Sequence, residues 1–232
     1  MPLFLRISGA VLIAVCFAAA AHAQDFETTR RAAEKGDAQA QYKLGWMYDT
    51  GQGAARDYAA ALKWYRLAAE QGDASAQYGI GLMYAKGSGV AVSDTEAAKW
   101  HRLAAEQGNV GAQKNLGWMY AHGQGVVASD AEAVKWYRLA AEQGDAWAQF
   151  TLGWMYYQGR GISQNTTEAL RWYRLAAEQG HARAQYNLGE IYRKGQGIPI
   201  NDAEAEKWFR LAAQQEGWEG EMARDALKVM NK

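Results

Sequence analysis

Residues that could carry out acid–base, nucleophilic or metal chemistry are few in this sequence and do not form catalytic patterns. Beyond residue 23 the histidines are His101, His122 and His181, and no two of them have a spacing that binds a metal. The His-Glu-x-x-His pattern of metalloproteases and the Ser-x-x-Lys pattern of serine β-lactamases are both absent. No pair of carboxylates stands out for acid–base work. The sequence therefore predicts no catalytic residue, no cofactor and no metal site.

The elements that carry these residues repeat with a period of 36 residues. Gly45 and Trp64 each recur at this interval in every unit, which predicts five stacked units over residues 37–216. One unit is too short to bury a core alone, so its stability must come from its neighbours. A Gly-x-Gly turn such as Gly51/Gly53 recurs too, but it lacks the third glycine and the preceding strand of a dinucleotide site.

Each unit is predicted to be a helix, a loop and a second helix. The first helix begins after a capping residue such as Asp37, and its repeated glycine indicates close approach of the partner helix. The second helix opens with a cap in one register, and four of the five caps have Glu three residues on, which predicts a capping box. These caps are Asp57, Ser93, Ser129, Asn165 and Asn201. Asn165-Thr166-Thr167 also fits a glycosylation acceptor, which stays an alternative.

The two ends of the chain differ from the repeats. Residues 1–23 have the pattern of a cleaved signal peptide, with Arg6 before an apolar run and Ala21-His22-Ala23 before the cleavage point; an uncleaved anchor is the alternative. This pattern predicts a periplasmic or secreted protein with no membrane span in the mature chain. Residues 24–36 match the end of a second helix without its large apolar residues, so they are expected to form an N-terminal capping helix.

Residues 217–232 are expected to form a C-terminal capping helix, and a partner-binding helix is the alternative. Its predicted apolar stripe consists of Trp218, Met222, Ala226, Val229 and Met230. The only cysteine, Cys16, lies in the signal segment, so no disulfide is expected after cleavage. The full chain has net charge zero. Nothing in this balance favours nucleic acid, which calls for a clustered basic face.

The repeated residues resemble the Sel-1-like repeat family, which is related to the tetratricopeptide repeats. They read Ala-x-Ala-Gln-x-x-Leu-Gly-x-Met-Tyr-x-x-Gly-x-Gly, then Glu-Ala-x-Lys-Trp-Tyr-Arg-Leu-Ala-Ala-Glu-Gln-Gly. The resemblance implies an all-α fold, a right-handed α/α superhelical solenoid whose first helices line the concave face. It also implies protein–protein interaction, often in bacterial envelope, secretion or host-contact settings. One cysteine-rich branch is linked to β-lactam binding or hydrolysis, and this sequence departs from it.

The positions that vary from unit to unit are the candidates for binding. On the first helix they are those of Gln39, Lys43, Trp46, Asp49 and Thr50, whose spacing puts them on one face, opposite the repeated apolar stripe. By the family's geometry this face is the concave groove. Its predicted partner-binding residues are aromatic or charged, in keeping with interface hot spots. They are Trp118, Trp147, Phe150, Trp154, Tyr157, Arg183, Glu190, Arg193 and Lys194.

Three functions remain open at this point. The first is an exported, non-enzymatic adaptor that binds a protein or peptide partner in the aromatic groove. The second is an envelope protein that binds peptidoglycan or another glycan by aromatic stacking. The third is a β-lactam hydrolase of the cysteine-rich branch. One aromatic position recurs in the first helices, and its alternative to a role in the groove is packing within the scaffold. Its residues include Tyr42, Tyr78, Phe150 and Tyr186.

Overall fold

The computed structural model describes residues 24–230, and within this range the chain forms twelve α-helices and no strand. The predicted signal peptide lies outside the described residues. Helix α1 covers residues 24–34. The others are α2 Ala38–Thr50, α3 Tyr58–Glu70, α4 Ala74–Lys86, α5 Asp94–Glu106, α6 Val110–His122, α7 Asp130–Glu142, α8 Ala146–Gln158, α9 Thr166–Glu178, α10 Ala182–Lys194, α11 Asp202–Ala213 and α12 Trp218–Met230. None of the helices in the described range is long and apolar enough to cross a membrane.

The chain consists of two compact units, and the boundary between them follows Asn109. The described part of unit 1 is residues 24–109, in which α2 packs on α3, α3 on α4 and α4 on α5. Its core includes Tyr65, Ile80 and Met83, each at most 2% exposed. The predicted N-terminal capping helix contacts α2, because the Asp25 carboxylate pairs with Lys43 Nζ at 2.7 Å and the Phe26 ring meets the Tyr48 ring edge-on at 5.6 Å.

Unit 2 starts at Val110 and contains α6 to α12. The helix pairs α6–α7, α8–α9 and α10–α11 each form one repeat, and α7–α8 and α9–α10 join successive repeats. Helix α12 packs on both α11 and α10. The predicted fold class is confirmed: the chain is an all-α repeat protein in which consecutive helix pairs stack.

The repeated glycine of each first helix lies under an aromatic ring of its partner helix. A Cβ atom added at Gly117 would lie 2.8 Å from Cδ1 of the Tyr137 ring, closer than packed carbon atoms approach each other. The equivalent contacts elsewhere are Gly45 with Tyr65, Gly81 with His101, Gly153 with Tyr173 and Gly189 with Phe209. The predicted steric reason for these glycines is confirmed, and His101 takes the place of the repeat's aromatic ring.

The second-helix caps are confirmed, but the capping box is only half correct. The Ser129 hydroxyl accepts the Glu132 N–H at 3.2 Å, and the other four caps bond in the same way. The Ser129 N–H, however, donates to the Tyr120 carbonyl at 2.9 Å rather than to the glutamate. Glu132 instead pairs with Lys135 one turn later, at 3.6 Å. The loop therefore folds back onto the first helix and supplies the acceptor that the glutamate was expected to provide.

A ladder of glutamine pairs joins the first helix of a repeat to the end of its second helix, and sequence reasoning did not foresee it. In unit 2 the Gln143 amide donates to Gln113 Oε1 and that of Gln179 donates to Gln149 Oε1, both at 2.8 Å. Unit 1 has the same bonds from Gln71 to Gln41 and from Gln107 to Gln77. The acceptor glutamines are at most 6% exposed, and each buried amide needs such a partner. The repeated Gln of the motif is thus a structural residue.

The predicted apolar stripe of α12 is partly wrong. The helix buries Gly220 and Ala223, and Leu227 and Met230 pack beside them against α11. Of the predicted stripe, Ala226 and Met230 pack on this core, whereas Trp218, Met222 and Val229 are 47%, 43% and 64% exposed. The reason is close packing, since a Cβ at Gly220 would lie 2.1 Å from the Gln215 carbonyl oxygen. The small residues therefore face α11, and Trp218 is left for another surface.

Candidate functional site

A cavity of about 580 Å³ lies on the first-helix face of unit 2, and we call it the larger cavity. Helices α6, α8 and α10, the first helices of three successive repeats, contribute most of its lining, with α12 and the α8–α9 loop at its edge. Its residues are Trp118, Ala121, His122, Tyr137, Trp147, Phe150, Thr151, Trp154, Met155, Arg160, Arg183, Asn187 and Trp218. The volume falls within the range of small-ligand sites.

Three tryptophans on this cavity are largely open to solvent. Trp118 is 40% exposed, Trp147 is 39% exposed and Trp218 is 47% exposed. Tyr137, by contrast, is buried, and its ring meets that of Trp147 at 5.5 Å between centroids. Burial also raises the pKa of the Tyr137 hydroxyl above its usual value. The lining therefore combines a packed aromatic ring with indole rings that a ligand can cover.

Arg160 reaches the cavity from the tight turn between α8 and α9. Its neighbours Gly159 and Gly161 have φ of 69° and 70°, the left-handed region that favours glycine. A Cβ at Gly161 would lie 2.4 Å from the Asp130 backbone, so the turn presses against the start of α7. This brings Arg160 Nε within 2.8 Å of the Asp130 carboxylate, a hydrogen bond that raises the pKa of the guanidinium. Arg160 also donates to the Ala121 carbonyl at 3.1 Å, and its guanidinium lies 5.6 Å from the Trp154 ring centre.

Arg183 occupies the other end of the cavity, at the start of α10. Its guanidinium carbon lies 4.9 Å from the ring centre of Trp218 and 5.9 Å from that of Phe150. Its Nε donates to the Glu219 carboxylate at 3.2 Å. Two aromatic rings and one carboxylate thus hold this cation in place.

Histidine side chains support both ends of the cavity. The His122 ring stacks on the Trp118 ring at 4.4 Å, and its Nδ1 lies 2.8 Å from the Trp118 carbonyl oxygen. His181 caps α10, because its Nδ1 accepts the Ala184 N–H at 3.3 Å while its ring stacks on Phe150 at 4.7 Å. Burial, with a smaller effect of Arg183, lowers the pKa of His181, so the ring keeps the lone pair that caps the helix.

A second, smaller cavity of about 220 Å³ lies on the same helices, and Trp154 and Asn187 line both. The smaller cavity also contains Tyr157, Gln158, Tyr173, Glu190, Ile191 and Gln196. The Tyr157 hydroxyl donates to Gln196 Oε1 at 2.6 Å, which fixes the ring at the cavity edge. The two cavities therefore form neighbouring hollows divided by Trp154 and Asn187.

The structure brings most of the nine predicted groove residues together. Five line the larger cavity, namely Trp118, Trp147, Phe150, Trp154 and Arg183, while Tyr157 and Glu190 line the smaller one. Arg193 and Lys194 line neither of these two cavities. Both form ion pairs with the Glu190 carboxylate, at 2.9 Å from Arg193 and closer still from Lys194.

Sequence reasoning missed Arg160, Asn187, His122, Tyr137 and Trp218. Three of these residues have a feature in the sequence that could have identified them. Asn187 and His122 occupy varying positions of the first helix, and Arg160 stands between two repeated glycines where the other units have Gln or Ser. Tyr137 looked like pure scaffold because it recurs. Trp218 follows a one-residue slip of the period, so its register was not readable.

The remaining titratable groups do not add a reactive centre to this surface. His101 is 1% exposed, and burial lowers its pKa to about 4, so it is a neutral core residue. Within residues 24–230, no group of three or more His, Cys, Asp or Glu side chains is placed to hold a metal ion. The chemistry that the arrangement offers is recognition by aromatic faces and guanidinium groups.

Comparison with known proteins shows to which family the repeats belong. The Sel1 repeat matches residues 38–73, 74–109, 110–145, 148–181 and 182–216. A protective antigen of uropathogenic Escherichia coli that displays an SLR fold is 42% identical, over 83% of this chain and 41% of the antigen, with a TM-score of 0.81. This chain thus spans about two fifths of that antigen's length.

A Sel1 repeat protein from Oxalobacter formigenes is 38% identical, over 79% of this chain and 76% of that one, with a TM-score of 0.75. No curated protein matches the sequence. The five matched units coincide with the five repeats expected from the 36-residue period, and two similar structures share the stacking of helix pairs. On these grounds the chain belongs to the Sel1 repeat family.

Proposed function

We propose that this protein is an exported, non-enzymatic scaffold that binds a protein or peptide partner on the first-helix face of unit 2. The observation that carries the proposal is the larger cavity, whose lining combines three tryptophans that the scaffold does not bury with two fixed arginines. Clustered apolar surface of this kind marks interaction sites, and Trp, Tyr and Arg dominate the energetics of interfaces. Membership of the Sel1 repeat family supports the same role, since these repeats serve as interaction scaffolds.

The polar groups around the cavity support binding rather than catalysis. Arg160 and Arg183 are tied to Asp130 and Glu219, and His181 is engaged as a helix cap. Each of these groups therefore has a structural task, and a general base would need to be free to exchange a proton with a substrate.

Export is part of the proposal and rests on the sequence of residues 1–23. If the segment is a cleaved signal, protein recovered from the cell envelope or the medium starts at or near Gln24. N-terminal sequencing of that material tests this. A retained Met1 would end the export proposal and would leave the binding proposal untouched.

The binding proposal is tested with a random 12-residue peptide library displayed on phage and the whole chain as bait. Synthetic copies of the selected peptides are then titrated by calorimetry against the wild type, Trp147→Ala and Tyr157→Ala. We expect Trp147→Ala to cost at least about 2 kcal/mol of binding free energy, as hot-spot truncation does. Tyr157→Ala tests whether the smaller cavity takes part. Both variants should melt close to the wild type, because neither side chain is fully buried.

Two results would count against peptide binding. The first is a library that yields no peptide whose affinity depends on Trp147. The second is a sharp fall in melting temperature with unchanged affinity per folded molecule, which would make these aromatic residues core. Binding of soluble peptidoglycan fragments that requires Trp147, with no peptide selected, would favour a glycan ligand instead.

A further inference from the structure

We propose that the larger cavity recognises a peptide segment in which an acidic side chain lies beside an aromatic one. The carboxylate would meet the guanidinium group of Arg183, and the aromatic side chain would cover the exposed indole of Trp147. Arg160, at the other end of the cavity, would add to the positive charge there. This inference rests on the proposed function and names the chemistry of the partner.

The charges that face the cavity are of one sign. Arg160 and Arg183 belong to its lining, and no Asp or Glu does. Their carboxylate partners Asp130 and Glu219 each occupy one edge of the guanidinium, at Nε. A guanidinium has five N–H donors in a planar fork, so both arginines keep donors for a second carboxylate. The whole chain has net charge zero, so the preference for an anion is local to this cavity.

Both arginines are held before any ligand arrives. Asp130, the Ala121 carbonyl and the Trp154 ring fix Arg160. Arg183 is fixed by Glu219 and by the rings of Trp218 and Phe150. A free arginine side chain loses rotamer entropy when it binds, and these two have already lost most of it on folding. The arrangement is therefore suited to a carboxylate, for which guanidinium gives directed, charge-assisted hydrogen bonds.

The same contacts argue against a cationic ligand. Aromatic cages bind quaternary ammonium and lysine groups through open ring faces. Here the protein's own guanidinium groups lie against Trp154, Phe150 and Trp218, and they would repel a second cation. Trp147 and Trp118 both have exposed ring area, and within residues 24–230 no guanidinium lies over either ring. The His122 ring already covers one face of Trp118, so the apolar part of the ligand should lie mainly on Trp147.

The test uses peptides selected from the displayed 12-residue library by the whole chain. We expect them to carry Asp or Glu within two residues of Trp, Tyr or Phe. Replacing that acid by its amide in a synthetic peptide should weaken binding to the wild-type protein at least about tenfold, the effect of losing hydrogen bonds to a charged group. This measurement leaves the protein unchanged, so it does not depend on the folding of any variant.

A protein variant, combined with the acidic peptide and its amide form, gives a double-mutant cycle. Arg183→Gln should weaken binding of the acidic peptide about tenfold and leave binding of its amide form nearly unchanged, which shows that the two groups interact. Arg210→Gln is the control, because it removes the same charge from unit 2 at an exposed residue of α11 that pairs with Glu206 and lines neither of the two cavities. It should change neither affinity.

The outcomes separate the two proposals. Selected peptides that bind through Trp147 but show no acid preference overturn the carboxylate inference and leave peptide binding standing. An equal loss with Arg210→Gln also overturns it, since the electrostatic attraction would then be general. If no peptide binds, both proposals fail, and Trp147-dependent binding of soluble peptidoglycan fragments would assign the cavity to a glycan.

Discussion

Units 1 and 2 share one repeat and differ at the varying face of their first helices. In unit 1 most side chains on this face, apart from Trp46 and Leu82, are small or already engaged. The Gln39 amide donates to Asp73 at 3.2 Å, and Lys43 pairs with Asp25. In unit 2 the same positions carry indole rings and a fixed arginine around a cavity. Helix α4 has Ser75, Gly79, Leu82, Ala85 and Lys86 where α8 has Trp147, Thr151, Trp154, Tyr157 and Gln158. The comparison teaches that the repeated residues determine the fold and the varying ones decide where a partner can bind.

The largest effect should come from the scaffold and not from the binding face. Trp136 is 4% exposed, so Trp136→Ala should cost about 3–5 kcal/mol of unfolding free energy through lost burial and the cavity left behind. Trp218 lies on the open face and is 47% exposed, so Trp218→Ala should lower the unfolding free energy by less than half as much. Urea denaturation of both variants measures the difference. Equal losses would mean that Trp218 is a core residue and that the face of unit 2 is less open than described.

The next largest effect should come from the buried ring that covers each repeated glycine. Unit 1 has Tyr65 and His101 at this position, and unit 2 has Tyr137, Tyr173 and Phe209. The pKa of His101 in the folded chain is about 4, below its usual value of 6.5. The unfolded state therefore binds more protons between these values, and stability should fall as pH drops from about 6.5 towards 4, by up to about 3 kcal/mol. His101→Tyr should remove this part of the pH dependence.

Unfolding measured in urea between pH 7 and pH 4 reports the change. Some slope will remain, because burial also lowers the pKa of His181 in unit 2. Tyr137→Phe is the control at the equivalent position of the next repeat. It should leave the slope as it is, because the pKa of Tyr137 is raised and its hydroxyl does not titrate in this range. A His101→Tyr variant with the slope of the wild type would show that His101 is solvated in solution.

The smallest effect should be the same in both units, because it concerns the shared frame. Ser93→Ala and Ser129→Ala each remove a hydroxyl that caps a second helix, at 3.3 Å and 3.2 Å, and should each cost about 1 kcal/mol. Glu132→Ala should cost less than about 0.5 kcal/mol, because its carboxylate forms only an exposed ion pair with Lys135. Thermal or urea unfolding distinguishes these values. A loss for Glu132→Ala as large as that for Ser129→Ala would restore the reciprocal capping box.

The frame was predictable from the sequence because repetition supplies its own comparison. A glycine such as Gly117 costs stability in a helix, so its return in every unit required a steric reason, which the Tyr137 ring provides. The caps were readable for the same reason. The glutamine ladder was not, since a repeated Gln such as Gln113 has the same appearance whether its amide faces solvent or a partner 30 residues away.

The site was predictable where it lies on the repeat and was missed where it does not. Trp118 and Trp147 stood out as aromatic residues at positions that vary. Arg160 reaches the cavity only because its turn presses on Asp130, a tertiary contact that local sequence does not reveal. Trp218 was assigned to a buried stripe, and the close approach of Gly220 to α11 turns it outward.

The central claim, that unit 2 and not unit 1 carries the binding face, has a direct test in one matched pair. Trp46 and Trp118 occupy the same position of their repeats and are equally open, at 36% and 40% exposure, but only Trp118 lines the larger cavity. With a library-selected peptide and calorimetry, Trp118→Ala should cost at least about 2 kcal/mol, a loss of about 30-fold in affinity. Trp46→Ala should leave the affinity within about twofold of the wild type. Equal losses, or a larger loss for Trp46→Ala, would contradict the account.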